Sequence, residues 1–143
     1  MEDMGMFIEQ KTISSDLAER MVEAAKEKAR ELGIAINVAI MDAGGNLLAF
    51  SRMDRAPLLS IEIAQDKAYT AAAFGRPTHE WYDVIKDKPS LKTGIVHTKR
   101  LTVFGGGYPV RCGEDLAGGI GVSGGSTEQD QACCEAALGL ITE

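Results

Sequence analysis

This chain lacks the features that several broad classes of binding protein require. Its 21 acidic residues outnumber its 15 lysines and arginines, for a net charge of −6, whereas a nucleic-acid-binding domain carries a basic stripe. No apolar run reaches the length that spans a membrane, and the N-terminus has no apolar core of a secretory signal. We therefore expect neither a nucleic-acid partner nor a membrane partner, and a cytoplasmic location.

Cysteine is also scarce. The three cysteines, Cys112, Cys133 and Cys134, are odd in number and show no C-x-x-C spacing, so the sequence predicts neither a disulfide framework nor a zinc site. Cys133 and Cys134 lie in an alanine-rich helical run, where cysteine acts as a small buried hydrophobe. We therefore expect the three cysteines to be reduced thiols, as in cytosolic proteins.

What is present indicates one globular domain, residues 1–143. The chain is 45% hydrophobic and 25% charged, and at 143 residues it is long enough to bury a core without disulfides. Hydrophobic periodicity predicts the order α-β-β-α-α-β-β-β-α. The predicted helices are 16–32, 57–75, 78–86 and 126–141, and the predicted strands are 34–41, 47–52, 101–104, 109–112 and 115–122. This order indicates an α/β (α+β) fold with a five-stranded antiparallel sheet covered by helices.

The segment 105–125 is rich in glycine. Gly119-x-Gly121-x-x-Gly124 matches the spacing of a dinucleotide-binding turn, but that site also needs a second strand and an acidic residue about 20 positions further on. Only one helix follows here. We interpret these glycines as part of a strand that packs closely against a neighbouring element.

Lys67 is the least expected residue of the chain. On the predicted helix 57–75 it falls on the apolar face, with Ala64, Ala68 and Ala71, although a buried unpaired ammonium is costly. Three interpretations remain open: a snorkelling or structurally paired lysine, with Asp42 or Asp54 as partner; a charge that faces a ligand cavity; or a catalytic amine. The sequence shows no nucleophile elbow, metal-ligand cluster or phosphate loop, so an enzymatic role is the less favoured one.

Five segments together resemble the GlcG/HbpS family, which includes the C-terminal domain of PduO-type cobalamin adenosyltransferases and OrfY-like proteins. They occur in order over 16–141, and they are 38–47 (VAIMDAGGNL), 52–57 (RMDRAP), 66–78 (DKAYTAAAFGRPT), 104–110 (FGGGYPV) and 119–130 (GIGVSGGSTEQD). The resemblance implies a profilin-like or PAS-like fold and a homo-oligomer, a dimer or larger ring. Some members bind haem or iron, and others accompany cobalamin enzymes or glycolate metabolism. With no secretory segment and no adenosyltransferase domain, we expect neither extracellular redox sensing nor adenosyl transfer.

The resemblance makes haem or a related tetrapyrrole the first expected ligand. Two histidines are candidate axial ligands. His79 is flanked by Trp81 and Tyr82, which are expected to cover a porphyrin face, and His97 has Lys99 and Arg100 nearby for the propionates. We favour His79 for its aromatic neighbours. Met53, Tyr108 and Cys112 are further candidate iron ligands.

A small anionic metabolite is the alternative ligand. Polar residues from several motifs are predicted to converge between sheet and helices, and Ser123 precedes a helix N-terminus, where free N–H groups favour an anion. The predicted ligand-binding residues are Asp42, Asn46, Arg52, Asp54, Lys67, Gly105, Gly106, Gly107 and Ser123. A role for these residues in fixing turns alone is equally open.

Overall fold

The computed structural model describes residues 5–141, which form a four-stranded antiparallel sheet with helices on both faces. The helices are α1 (Ser15–Leu32), α2 (Ser60–Phe74), α3 (Trp81–Ile85), α4 (Pro89–Gly94) and α5 (Thr127–Leu138). The strands are β1 (Asn37–Asp42), β2 (Leu47–Arg52), β3 (Gly107–Cys112) and β4 (Asp115–Ser123). Single 3₁₀ turns cover Thr78–Glu80 and Ile95–His97. No helix among these residues is long and apolar enough to cross a membrane.

Side-chain caps define the two helices that cover one face of the sheet. Ser14 accepts a hydrogen bond from the Leu17 amide at the start of α1, and Gly33, at φ 71°, ends the helix. At α5, Ser126 and Gln129 form a capping box. The buried side of α1 is alanine-rich, which allows the helix to pack closely on α5 and on the sheet.

The chain enters the sheet through a β-hairpin. β1 pairs antiparallel with β2, from Asn37 opposite Arg52 to Met41 opposite Leu47. Asp42 fixes the turn, because its carboxylate accepts hydrogen bonds from the Gly44 and Asn46 amides, both at 2.9 Å. The full strand order is β2-β1-β4-β3, so β1 and β4 form the centre of the sheet.

Alternation along the central strands divides the core into two layers. Val38, Ile40, Ile120 and Val122 face α1 and α5 and form the larger hydrophobic cluster. Ala39 and Met41 point the other way, against the alanines of α2. The molecule is thus a three-layer α/β/α domain with a small-residue contact on the α2 side.

The β4 glycines explain why α2 lies so close to the sheet. A Cβ atom on Gly119 would collide with the Ala68 carbonyl oxygen, and one on Gly121 with the Ala64 carbonyl oxygen. The prediction that these glycines serve close packing is confirmed, and Gly119 and Gly121 lie inside a strand rather than in a phosphate-binding turn.

Several elements differ from the sequence prediction. β1 begins at Asn37 rather than at 34, α2 covers Ser60–Phe74 rather than 57–75, β3 begins at Gly107 rather than at 109, and the predicted helix 78–86 is a 3₁₀ turn followed by α3. Residues 101–104, predicted as a fifth strand, are not paired in the sheet; the Thr102 amide instead donates to the Thr70 hydroxyl at 2.9 Å, which satisfies the backbone without a strand ladder. The segment 88–94, predicted as a loop, contains the short helix α4, with Pro89 in its first turn. The terminal helix ends at Leu138 rather than at Ile141.

Candidate functional site

Residues 105–107, which we call the glycine segment, lie against the middle of α2, where Lys67 is located. Gly106 has φ 121°, and a Cβ there would lie 2.6 Å from Lys67 Nζ and 2.7 Å from the Val122 carbonyl oxygen. The Gly106 carbonyl accepts hydrogen bonds from the Val122 amide at 2.8 Å and the Cys134 thiol at 3.2 Å. Only glycine fits this position, because it combines a positive φ with contact on three sides.

Lys67 is 1% exposed. Partners inside the protein compensate its charge. Its ammonium donates to the Val122 carbonyl at 2.9 Å and to Asp130 Oδ2 at 3.2 Å, and lies 5.2 Å from the centre of the Phe104 ring. The other carboxylate oxygen of Asp130 accepts the Gly125 amide at 2.9 Å. Lys67 is therefore a structurally paired lysine, as one interpretation held, but the predicted partners Asp42 and Asp54 are wrong.

Burial acts on both members of this pair. It lowers the pKa of Lys67, while the Asp130 carboxylate opposes that shift. It raises the pKa of Asp130, which the Lys67 ammonium and the Gly125 amide oppose. Since each charge offsets the other, the pair leaves no free cation for an anionic ligand.

Thr78 joins the glycine segment to the 3₁₀ turn that carries His79. The Gly107 amide donates to the Thr78 hydroxyl at 2.9 Å, and that hydroxyl is also 3.4 Å from the Gly107 carbonyl. His79 then lies against Gly105, where an added Cβ would be 3.3 Å from His79 Cβ. Direct contacts thus connect Lys67, the glycine segment and His79 into one unit.

The outer side of this unit is a surface that we call the His79 face. His79 is exposed, and its ring centre lies 5.6 Å from that of Tyr108. The Tyr108 hydroxyl donates to Glu135 Oε2 at 2.7 Å, and Phe104 is 47% exposed. The members of the His79 face are His79, Phe104, Gly105, Tyr108, Gln131 and Glu135.

The His79 imidazole makes no hydrogen bond or ion pair within residues 5–141. Burial and the Glu135 carboxylate raise the pKa of Tyr108, so this phenol stays protonated and acts as a donor. The face therefore offers one free imidazole beside two aromatic rings, which is the donor chemistry that a haem iron accepts.

Trp81 and His97 are placed differently from the prediction. Trp81 is 3% exposed, with its ring edge-on to Phe74 at 4.8 Å, so it is a core residue and cannot cover a porphyrin. Tyr82 is exposed and has Lys92 over its ring. His97 is exposed in the second 3₁₀ turn, and the nearby Arg100 stacks on Tyr69 at 3.4 Å, which occupies that guanidinium.

The remaining predicted ligand residues do not converge on Lys67. Asp42 pairs with Gly118 at one end of the β1–β4 pairing and Asn37 with Ser123 at the other, which separates the two ends by about 17 Å along the strand. Lys67, Gly105 to Gly107 and Ser123 share one end. Asp42 and Asn46 lie at the other, in the hairpin turn, and Arg52 and Asp54 are exposed at and just after the end of β2.

Sequence reasoning missed Asp130 and Glu135. Asp130 lies in the first turn of α5, 63 positions from Lys67, where an acidic residue is ordinarily explained by the helix dipole. Glu135 lies about two turns after the capping box, on a helix whose apolar residues are not concentrated on one face. Only the unexplained buried charge on α2 signalled that an acidic partner had to exist.

The fold and the His79 face define a class of small three-layer α/β domain with a histidine presented over a glycine segment. The chain matches the family model "Haem degrading protein HbpS-like" over residues 13–139. The protein belongs to this HbpS-like family, as the sequence motifs predicted.

Known relatives agree with this assignment. A 15.0 kDa protein from the dhaT-dhaS intergenic region of Citrobacter freundii is 38% identical over 133 residues, 92% of this chain and 94% of that protein. The crystal structure of Klebsiella pneumoniae ORFY matches with a TM-score of 0.90 and 36% identity, over 96% of both chains. A crystal structure of a PduOC:haem complex matches with a TM-score of 0.84 and 37% identity, over 91% of this chain and 95% of that one.

Proposed function

We propose that this protein is a haem-binding or tetrapyrrole-binding accessory protein and that His79 is the axial ligand. The observation that carries the proposal is the exposed His79 imidazole, which has no hydrogen-bond partner within the described residues and lies beside Tyr108. The haem complex of a relative 37% identical to this chain supports the same ligand class. A bound haem would supply an iron centre whose chemistry the surrounding side chains would tune.

The residues of the His79 face have distinct roles in this proposal. His79 would hold the iron and the exposed Phe104 ring would pack against the macrocycle. Residues 105–107 are buried under Gln131, Lys67 and Thr78, so they would support His79 from below rather than contact the ligand. Tyr108 stays protonated because Glu135 accepts its hydrogen bond, so it orients His79 by ring contact rather than competing for iron as a phenolate. We further propose a cytoplasmic homo-oligomer, which exposed apolar side chains such as Phe7, Ile8 and Leu58 support.

A haem titration tests the assignment. We expect a saturable Soret shift in the wild-type protein that is lost or strongly weakened in His79→Ala and unchanged in the matched variant His97→Ala. Adding imidazole to His79→Ala should restore part of the shift, since an exogenous ligand can replace the missing side chain. An unchanged Soret spectrum and affinity in His79→Ala would contradict the assignment.

The alternative ligand, a small anionic metabolite at Lys67, has less support. Lys67 is fully paired and covered by Phe104, so such a ligand would have to displace Asp130 first. Absence of any haem shift in the wild-type protein, together with heat of binding for a small carboxylate that Lys67→Met removes, would favour this alternative.

A further inference from the structure

A concave site lies on the other side of the sheet from α2 and Lys67. It is a cleft of about 410 Å³ between the segment 11–14, the first turns of α1, β3, and the chain after α5. We call it the terminal cleft. Its size falls within the range of small-molecule sites, about 300–1,000 Å³. It shares no residue with the His79 face, so its function is separate from the one proposed above.

The floor of the terminal cleft is aliphatic. It consists of Ile13, Leu17, Val110, Ala117, Leu140 and Ile141, of which Ile13, Val110 and Ala117 are at most 5% exposed. None of the twelve lining residues is aromatic. A surface of branched aliphatic side chains fits a flexible alkyl chain better than a flat aromatic ring, which stacks on aromatic partners.

The charged side chains that line the cleft are all basic. Its lining includes the basic residues Lys11, Arg20 and Arg111 and no acidic residue, although acidic residues predominate in the chain as a whole. The Arg111 guanidinium is occupied by the carbonyl oxygens of Gly75 and Glu114, at 3.0 and 3.2 Å. Lys11 lies 3.9 Å from Asp115 and 3.7 Å from Cys112 Sγ, both long contacts.

Arg20 is the basic residue that is available for a ligand. It borders Asp16, Glu19 and Glu23 on the outer side of α1, yet within residues 5–141 it makes no hydrogen bond or ion pair. Its guanidinium can therefore donate two parallel hydrogen bonds to a carboxylate at the rim of the cleft.

We propose that the terminal cleft binds an alkyl carboxylate, with the chain on the aliphatic floor and the carboxylate at Arg20 and Lys11. The ligand class follows from an aliphatic floor bordered by Arg20, which has no hydrogen bond or ion pair within residues 5–141, and by Lys11, whose contact with Asp115 is long. A neutral alkyl compound lacks the group that Arg20 would bind, and a short anion lacks the chain that the floor would bury.

Titration calorimetry with decanoate tests the proposal. We expect saturable binding to the wild-type protein, binding about tenfold weaker in Arg20→Gln, and an unchanged affinity in Lys86→Gln, whose lysine is exposed and pairs with Asp83 elsewhere. Decanol should bind more weakly than decanoate, and acetate should not bind. No saturable heat with decanoate, or equal affinities in wild type and Arg20→Gln, would overturn the proposal.

Cys112 provides a second readout that needs no new cavity mutation. It lines the terminal cleft and is half-buried, whereas Cys133 and Cys134 are fully buried. Decanoate should slow alkylation of Cys112 by N-ethylmaleimide in the wild-type protein and have less effect in Arg20→Gln. Haem should leave the alkylation rate unchanged. Protection of Cys112 by haem but not by decanoate would assign the cleft to the tetrapyrrole instead and overturn the alkyl carboxylate proposal.

Discussion

Lys67 Nζ lies 3.2 Å from Asp130 Oδ2, and both side chains are at most 3% exposed. Removing one charge of such a pair leaves the other buried without compensation. We expect Asp130→Asn to lower the free energy of unfolding by about 3–5 kcal/mol. Urea unfolding followed by circular dichroism measures this.

The double variant Lys67→Met with Asp130→Asn is the control. It removes both charges and keeps an amide oxygen for the Gly125 amide, so most of the lost stability should return. If the double variant is as unstable as Asp130→Asn alone, the loss comes from packing around residue 130 and not from an unpaired ammonium.

The same variant should show a distinct pH dependence. Burial lowers the pKa of Lys67 and the Asp130 carboxylate counters it, so in Asp130→Asn the pKa of Lys67 falls further. Between that lowered pKa and about 10.5, the unfolded chain binds a proton at Lys67 that the native state does not bind. The free energy of unfolding therefore rises as pH rises through this window, and it falls as pH falls. Unfolding curves of Asp130→Asn from pH 6 to 10 should show this rise, and the double variant should not.

The contact between α2 and β4 depends on Gly121. A Cβ there would meet the Ala64 carbonyl oxygen and the Ala68 amide nitrogen, both backbone atoms that cannot rotate away. We expect Gly121→Ala to destabilise the protein by about 3 kcal/mol through forced separation of the helix from the sheet. Gly94→Ala, at a site with no heavy atom within 4 Å of the new methyl group, is the matched control and should be close to neutral. Thermal unfolding compares the two, and similar melting temperatures would be inconsistent with this packing.

Elements with a local cause could be predicted from the sequence. The Ser14 cap and the left-handed Gly33 account for the ends of α1, and the capping box of Ser126 and Gln129 accounts for the start of α5. The alternation in residues 34–41 accounts for β1, and Asp42 with Asn46 for the hairpin turn. Each of these signals lies within a few residues of the structure it specifies.

Features that depend on distant residues could not be predicted in the same way. The segment 101–104 has strand composition, but Thr70 satisfies its Thr102 amide from α2, 32 positions away. Asp130 meets Lys67 only because β4 turns into α5 beside the glycine segment. Trp81 reads as an aromatic neighbour of His79, but the edge contact with Phe74 turns it into the core. In each case tertiary packing outweighs a local pattern.

Tyr108 gives a prediction specific to the His79 face. Burial and Glu135 raise its pKa above the ordinary value near 10, so the native state keeps a proton that the unfolded chain loses. Stability from this group is complete below about pH 10 and is lost as pH rises through the native pKa. A difference titration at 295 nm between wild type and Tyr108→Phe should show a phenol that ionises late, and Glu135→Gln should move it to lower pH. If the phenol that is lost in Tyr108→Phe ionises at about pH 10 in the wild type, the Glu135 contact is contradicted.

The three cysteines should differ sharply in reactivity. Thiolate is the reactive form, and burial raises the pKa of Cys133 to about 11 and that of Cys134 well above its ordinary value. Cys134 is also held by its hydrogen bond to the Gly106 carbonyl. In the native protein we expect N-ethylmaleimide to modify Cys112 alone, so mass spectrometry should show one adduct in the wild type and none in Cys112→Ser. In denaturant the wild type should take up three.

The rate at which Cys133 or Cys134 is labelled in the native protein reports a local opening. Labelling of either thiol requires α5 to leave the sheet, so its rate measures the opening of the layer beneath the glycine segment. A second adduct that appears as fast as the first would show that this layer is open in the native state.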